Sequence, residues 1–466
     1  MKKKILALGL GLCMILALCA CSVSSTSTSS TASDGAAASG DKGNTATTEI
    51  ATQDKAAAPA EPGAANEITL WTYPIGGWGN EATVKELTDA FTAETGTAVK
   101  VEYLTYADGD DKVNTALTAK QGPDVIMEGP ERLVSNWGAN GYMADLADMI
   151  TAEDVADMNA SALSACYSPD GKLYEYPLVM TAHCMGINLN AFKEAGADQY
   201  INTETHTWTT EQFLNAVKAL SDKYGDTIGA VFCGGQGGDQ GTRALINNLY
   251  GGTFTNPEHT AYTWDDAANI KALKELYDLK GIAYDPSLVG GDEISLFYNG
   301  TLKMAFCWNI AQQLNPNSAG TGEGKTLNGD DIVFMAFPSE TEGDVRLQGG
   351  IWGFGVFDNG DAGRIAAAKQ FILFMCNSSH TVDAVRAANF FPVRTSVNAW
   401  GDNPTMQEYN KLMPYLGDYY QVTTGWAQAR TAWWNMLQKV GASDGSTEAI
   451  TAAVNEFCAQ ANSPAA

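Results

Sequence analysis

Leu296-Phe-Tyr-Asn-Gly-Thr-Leu-Lys-Met-Ala-Phe-Cys-Trp308 divides at Asn299-Gly300. Up to Asn299 it reads as a short turn or helix end, closed by a dipeptide that marks turns. From Leu302 to Trp308 it is apolar, compact and bounded by turn signals, the pattern of a buried strand. The strand ends on a large aromatic.

Working outward, strands and helices alternate. Glu67 to Tyr73 has strand alternation, and Pro74 to Trp78 reads as a loop. Asn80 to Thr95 carries Val84, Leu87 and Phe91 at helical spacing and stops at Gly96. Val99 to Tyr103 is a strand, Asp111 to Lys120 a helix, and Val125 to Met127 a short buried strand after Gly122-Pro123-Asp124. Such alternation predicts βα units on a mostly parallel sheet, hence an α/β fold. Ligands of these sheets bind beyond the carboxyl ends of the strands. Here those ends carry Tyr73 to Trp78, Tyr106 to Asp108, and Glu128. Further on, Thr209 and Gln212 have the spacing of a capping box for a helix to about Lys223. A strand from Ile228 to Cys233 leads into the loop Gly234 to Gly241. Helices are expected at Thr242 to Tyr250, Asp265 to Gly281 and Arg364 to Cys376, with a helical tail from Ala427 to Ala459. Ile332 to Pro338 and Gly349 to Val356 read as strands.

The start of the chain reads as targeting. Met1-Lys-Lys-Lys4 is a basic n-region, and Ile5 to Leu18 is an apolar h-region too short to span a membrane. Leu18-Cys-Ala-Cys21 follows, with small Ala20 before Cys21, the arrangement for lipidation of Cys21. Several acyl chains make a stable membrane anchor. Ser22 to about Asn66 is Ser, Thr, Ala and Gly with few large apolar residues, so it is read as a disordered tether. Its coil span is roughly 35–40 Å. From Glu67 on, roughly 400 residues exceed one core and imply two lobes.

The net charge of −26 argues against nucleic acid and anionic membrane surfaces as partners and weighs mildly against a strongly anionic ligand, although such an excess of acids more often serves solubility. Of nine cysteines, Cys166, Cys184, Cys233, Cys307, Cys376 and Cys458 remain in the folded part. Their wide spacing, without a CxxC, gives no metal site, and no cofactor is indicated.

Several segments in order are similar to one family. Lys172-Leu-Tyr-Glu-Tyr-Pro177, Met185 to Gly196, Thr207-Trp-Thr-Thr-Glu-Gln-Phe213, Leu296 to Trp308, Gly349 to Val356 and Phe391-Pro-Val-Arg394 resemble the family 1 extracellular solute-binding proteins of ABC transporters, the relatives of maltose-binding protein. The resemblance spans nearly all of Glu67 to Ala459. It implies a two-lobed α/β fold of the type II periplasmic-binding-protein class, with the ligand cleft between the lobes. The implied division is 67–178 and 307–354 in the N-terminal lobe, and 179–306 and 355–466 in the C-terminal lobe. By the same resemblance the segment before Trp308 crosses between lobes, and Trp308 and Trp352 contact the ligand.

A sugar ring has an apolar face and a rim of hydroxyls, so a site for it combines aromatic and polar side chains. The aromatic candidates are Tyr73, Trp78, Trp308, Trp352 and Trp426, with core packing as the alternative for each. The polar candidates are Asp108, Glu128, His183, Gln236, Asp239 and Arg394; Arg394 alternatively braces the fold, and a lone His183 is more often structural. The expected function is capture of a carbohydrate, an oligosaccharide in particular, and its delivery to an ABC permease by hinge closure. The protein is then a monomer, lipid-anchored at the outer face of the cytoplasmic membrane, and not an enzyme. Alternatives are a receptor for glycerol phosphate or a polyamine, or a secreted glycoside hydrolase, which needs two paired carboxylates.

Overall fold

The computed structural model describes residues 64–463 except 107, 236–238, 265, 315–323 and 402. Cys21, the tether before residue 64 and Gln236 lie outside the described residues. Among the described residues no helix is long and apolar enough to cross a membrane.

Among the described residues eleven strands form three sheets: β1 (Glu67–Thr72), β2 (Ala98–Tyr103), β3 (Val125–Glu128), β4 (Tyr176–Ala182), β5 (Cys184–Asn188), β6 (Thr227–Phe232), β7 (Gly281–Asp285), β8 (Met304–Trp308), β9 (Ile332–Met335), β10 (Gly349–Val356) and β11 (Phe391–Pro392). The first sheet has six strands in the order β11-β4-β10-β3-β1-β2. β1 runs parallel to β2 and β3, and β10 runs antiparallel between β3 and β4. The second group holds the sheet β8-β5-β9 and the parallel pair β6-β7.

The βα alternation read from the first hundred folded residues builds the first sheet. The helix Glu81–Thr95 buries Val84, Leu87 and Phe91, the positions its spacing marked. Asn80 caps it by accepting from the N–H groups of Ala82 and Thr83, and Gly96 ends it at φ 78°, where only glycine is unstrained. The capping box at Thr209 and Gln212 is formed, and its helix runs Thr210–Tyr224.

β8 is buried, as its composition requires, but it does not carry the chain between sheets. It pairs with β5 inside the second group, at Ala305 with Gly186. A Cβ on Gly186 would come within 2.7 Å of the Trp308 ring, so the strand pair closes only around glycine. The other edge of β8 is covered by a side chain: the Glu293 carboxyl accepts from the N–H groups of Phe306 and Cys307, both at 2.8 Å. Complete burial of Glu293 pushes its carboxyl up to about 8 against those two hydrogen bonds.

The expected lobe boundaries do not follow the sheets. β9 pairs with β5, so residues 332–335 belong with the second group. The helix Ala362–Cys376 belongs with the first sheet, because Phe371 packs edge-on against Phe354 of β10 and Phe91 of the first helix. The chain passes between the groups at β4–β5, between β9 and β10, and after β11. The expected helix over 265–281 ends at Asp278, and Gly281 starts β7. The helical tail is two helices, Trp426–Ala442 and Thr447–Ala461, broken where Ser446 caps the second. Cys166, Cys184, Cys233, Cys307 and Cys376 carry free thiols.

Candidate functional site

β1 ends at Thr72 and places Tyr73, fully buried, at the carboxyl end of the first sheet. The Tyr73 ring stacks on Tyr106 with centroids 5.1 Å apart. The Arg132 guanidinium lies over both rings, 5.1 and 5.5 Å from their centroids. It reaches them because β3 ends at Glu128 and Pro130-Glu-Arg132 turns at once into a helix. Arg132 donates from Nη1 to Glu128 Oε1 (2.8 Å) and from Nε to Asp110 Oδ1 (2.7 Å). The Tyr73 hydroxyl donates to the same Asp110 oxygen.

Burial pushes the Glu128 carboxyl up to about 8; Arg132 pulls it down, and Glu131 and Asp110 push it further up. Glu175, just before β4, is fully buried, and among the described residues neither of its oxygens has a hydrogen-bond partner. Burial, with Glu131 and Glu128 nearby, raises it well above the ordinary carboxylate range.

The second group supplies the opposite balance. Asp239 opens the helix Asp239–Tyr250, and Arg243 follows one turn later on the same face. Gly241 between them lets the helix meet β8, since a Cβ there would fall 1.8 Å from the Phe306 carbonyl oxygen. Asp239 accepts from Arg243 Nη1 and from Arg430 Nε at 3.0 Å. Burial acts against its ionisation, yet the two guanidinium groups hold Asp239 far below the ordinary range. Arg243 lies 4.8 Å over Trp426, and its Nε donates to the Tyr420 hydroxyl at 3.0 Å. His183, at the β4–β5 crossing, lies in the field of Arg243 and Asp239; burial, then Arg243, depresses its imidazole to about 4.

One dipeptide joins the two sides. Tyr419 donates its hydroxyl to Glu131 Oε2 at 2.7 Å, while Tyr420 accepts from Arg243. Among the described residues three buried polar atoms near the second cluster have no hydrogen-bond partner: His183 Nε2, Arg243 Nη2 and Thr423 Oγ1. Buried polar groups are normally paired, so unpaired atoms flanked by aromatic rings describe a place for a polar solute with apolar faces. Among the described residues no group of three or more His, Cys, Asp or Glu is placed to hold a metal ion.

The sequence candidates divide on this geometry. Tyr73 and Glu128 share the first cluster; Asp239, Trp426 and His183 share the second. Asp108 is exposed and accepts from Thr105. Trp352 is half-buried and stacks on Phe390 at 4.8 Å. Three candidates are packing or bracing residues. Trp78 is fully buried, donates to the Ala384 carbonyl and packs edge-on against Phe354. Trp308 is fully buried, donates to Gln313 Oε1 and packs on Phe297 and Tyr298, so truncating it opens a core cavity. Arg394 spends its donors on Asp154, Asp157, Tyr176 and the Cys376 carbonyl, which ties the first sheet to its own helices. It also borders a cavity of about 320 Å³ at β11, lined by Met180, Phe391, Trp400 and Met406. Arg132, Arg243, Arg430, Glu131, Glu175 and Tyr419 were not among the candidates. The one signal for the first two is an acid four residues before each arginine.

Residues 86–414 match the family model of the bacterial extracellular solute-binding proteins. The chain belongs to that family. A search of curated proteins finds no match for it. Among solved structures the chain resembles the GacH receptor of Streptomyces glaucescens, solved unliganded and with acarbose and a homolog, at 17% identity and a TM-score of 0.66, covering 85% of this chain and 99% of that one. It also resembles the Thermus thermophilus maltotriose binding protein bound with maltotriose (18%, TM-score 0.61, 84% and 99%). A third is the cyclic alpha-maltosyl-1,6-maltose binding protein of Arthrobacter globiformis (18%, TM-score 0.65, 85% and 99%). These likenesses establish the fold. The solute-binding family and its α/β architecture are those the ordered motifs implied.

Proposed function

We propose that the chain captures a carbohydrate, an oligosaccharide in particular, and hands it to an ABC permease without chemical change. The observation that carries the reading is the junction of the two sides. Aromatic rings stand on both sides of it, Tyr73 and Tyr106 with Arg132 and Tyr420 and Trp426 with Arg243, and on the second side His183 Nε2 and Arg243 Nη2 have no partner among the described residues. Rings cover the apolar faces of a sugar, and the polar atoms read its hydroxyls. Membership of the solute-binding family supports the reading, as do structural neighbours whose names specify maltotriose and maltosyl-maltose. The two strand groups act as lobes that close on the ligand about the three connections between them. The protein works as a monomer, tethered through lipidated Cys21 at the outer face of the cytoplasmic membrane.

A cationic solute such as a polyamine is a second reading, favoured by Asp110, Glu128, Glu131 and Glu175 gathered beside Tyr73, Tyr106 and Tyr419. A thermal-shift panel of oligosaccharides, glycerol phosphate and spermidine separates the readings. A ligand at a hundred times its Kd adds about 2.7 kcal/mol of stability. A shift with one glycan class is expected; a shift with spermidine alone overturns the saccharide reading.

A further inference from the structure

We propose that the cavity at β11 is an effector site: a small neutral aromatic molecule seated there ties the two strand groups together and tightens saccharide binding. The inference rests on the hinge-closure reading above and adds a second site to it.

The cavity, about 320 Å³, lies across the boundary between the groups. One wall belongs to the first sheet. Met180 is in β4 and Phe391 in β11, and the two are paired across the strands. Trp400 completes this wall, held by its Nε1, which donates to the Phe390 carbonyl at 2.7 Å. The neighbouring Ala399 carbonyl accepts from Arg386 Nε at 2.7 Å. The other wall is the helix Pro404–Tyr409, which carries Met406 and Gln407. That helix is fastened to the second group. Glu408 Oε1 lies 2.8 Å from His206 Nε2, and Lys411, just beyond the helix, donates to the Glu204 carbonyl at 3.0 Å. Tyr409 packs on Phe334 of β9 with centroids 4.8 Å apart, and its ring also stacks on Phe391 at 5.7 Å.

The lining selects the occupant. Met180, Phe391 and Met406 are buried and form an apolar floor, and methionines adapt to the shape set against them. Arg394 is the one charged residue among those that line the cavity, and its donors are already committed, so a neutral molecule is preferred. The exposed Asn398 and Gln407 put amides at the rim. Asn398 Oδ1 and Gln407 Nε2 bond the Gly401 backbone, which leaves Asn398 Nδ2 and Gln407 Oε1 for a ligand. A sugar on this floor would bury hydroxyls without partners, which is costly. An aromatic ring with one polar edge fills the floor and meets the amides. An apolar cavity of about 150 Å³ holds a benzene ring, so the space here suits a two-ring molecule.

The coupling follows from where the walls are fastened. In this arrangement Tyr419 and Glu131 also join the two sides. Parting of the groups would carry the helix Pro404–Tyr409 away from β4 and β11 and change the cavity's shape. A molecule that fits one arrangement better than another shifts the population toward it. The occupant thus favours the joined arrangement that grips the saccharide, and each ligand strengthens the other by the same factor.

Equilibrium dialysis of the purified protein against indole tests this. Wild-type protein should bind one indole per chain. Trp400→Ala, and Met406→Trp, which fills the cavity, should each weaken that binding at least tenfold. Tyr419 does not line the cavity, yet Tyr419→Phe should weaken indole binding several-fold by loosening the joined arrangement. Saturating indole should tighten the best-binding saccharide several-fold. Absence of indole binding, or full indole affinity in a folded Trp400→Ala or Met406→Trp protein, overturns the site. Unchanged indole affinity in Tyr419→Phe, or saccharide affinity indifferent to indole, overturns the coupling and leaves the receptor reading standing. Binding of no saccharide overturns that reading and the effector role with it, while the indole measurements still decide whether the cavity is a site coupled to Tyr419.

Discussion

The two sides of the site are built on the same local device with opposite surpluses. On the first sheet Glu128 precedes Arg132 by one helical turn, and in the second group Asp239 precedes Arg243 by one turn. The first pair sits among further acids, with Asp110, Glu131 and Glu175 around one arginine. The second pair sits beside a further arginine, with Arg243 and Arg430 on one aspartate. An acid surplus is chemically soft, because a carboxyl can take up a proton and bury itself neutral. An arginine surplus is hard, because the charge stays whatever surrounds it. The second side therefore keeps its charges, and the first can change them by taking up or releasing protons.

The comparison breaks most visibly at Asp239. Asp239→Ala leaves the fully buried Arg243 guanidinium facing that of the partly exposed Arg430 and should cost about 3–5 kcal/mol of stability. Urea unfolding measures this, and a loss under about 1 kcal/mol would show that solvent already compensates the arginines.

pH separates Glu128 of the first side from His183 of the second by sign. Glu128 moves from 4.5 to about 8 on folding, so between those values the unfolded chain releases a proton that the native state keeps. Stability from this group is full below 4.5 and is lost as pH rises through about 8. Glu293 contributes in the same sense. His183 moves from 6.5 to about 4, so its contribution is full above 6.5 and is lost as pH falls through about 4. Urea midpoints across pH should show Glu128→Gln flattening the alkaline decline and His183→Gln flattening the acid one. An unchanged slope in either variant removes that group from the account.

Smaller effects remain. Tyr419→Phe deletes the hydroxyl bond to Glu131 between the sides and should cost about 1 kcal/mol in ligand binding. Glu128→Gln mimics the protonated acid and should change stability at neutral pH by under about 1 kcal/mol. A larger loss would mean that Glu128 is ionised and the first side is not soft.

Much of the fold was legible because its signals are local. Helical spacing gave the helix after Asn80, the Thr209–Gln212 box gave the start of another, and alternation with helices gave the parallel strands. Strand partnership is not local. Nothing in Leu302 to Trp308 says whether β8 pairs within one group or bridges two, and the expected lobe boundaries failed at that point. The aromatic candidates show the same limit. Trp78 and Trp308 stand at element ends as Tyr73 does, yet only three-dimensional packing turns them into the core. Glu128 and Asp239 stood out at a strand end and in a loop. Arg243 and Arg430 lay inside segments read only as helix, where a lone cation is ordinarily solvated, and Arg132 lay in a stretch assigned to no element.

The central claim is that both sides grip one saccharide. Calorimetric titration of the best-binding saccharide into the wild-type protein, Glu131→Gln and Trp426→Ala tests it most directly. Each variant, one from each side, is expected to weaken binding at least tenfold while remaining folded. Full affinity in either variant would contradict a site shared by the two sides.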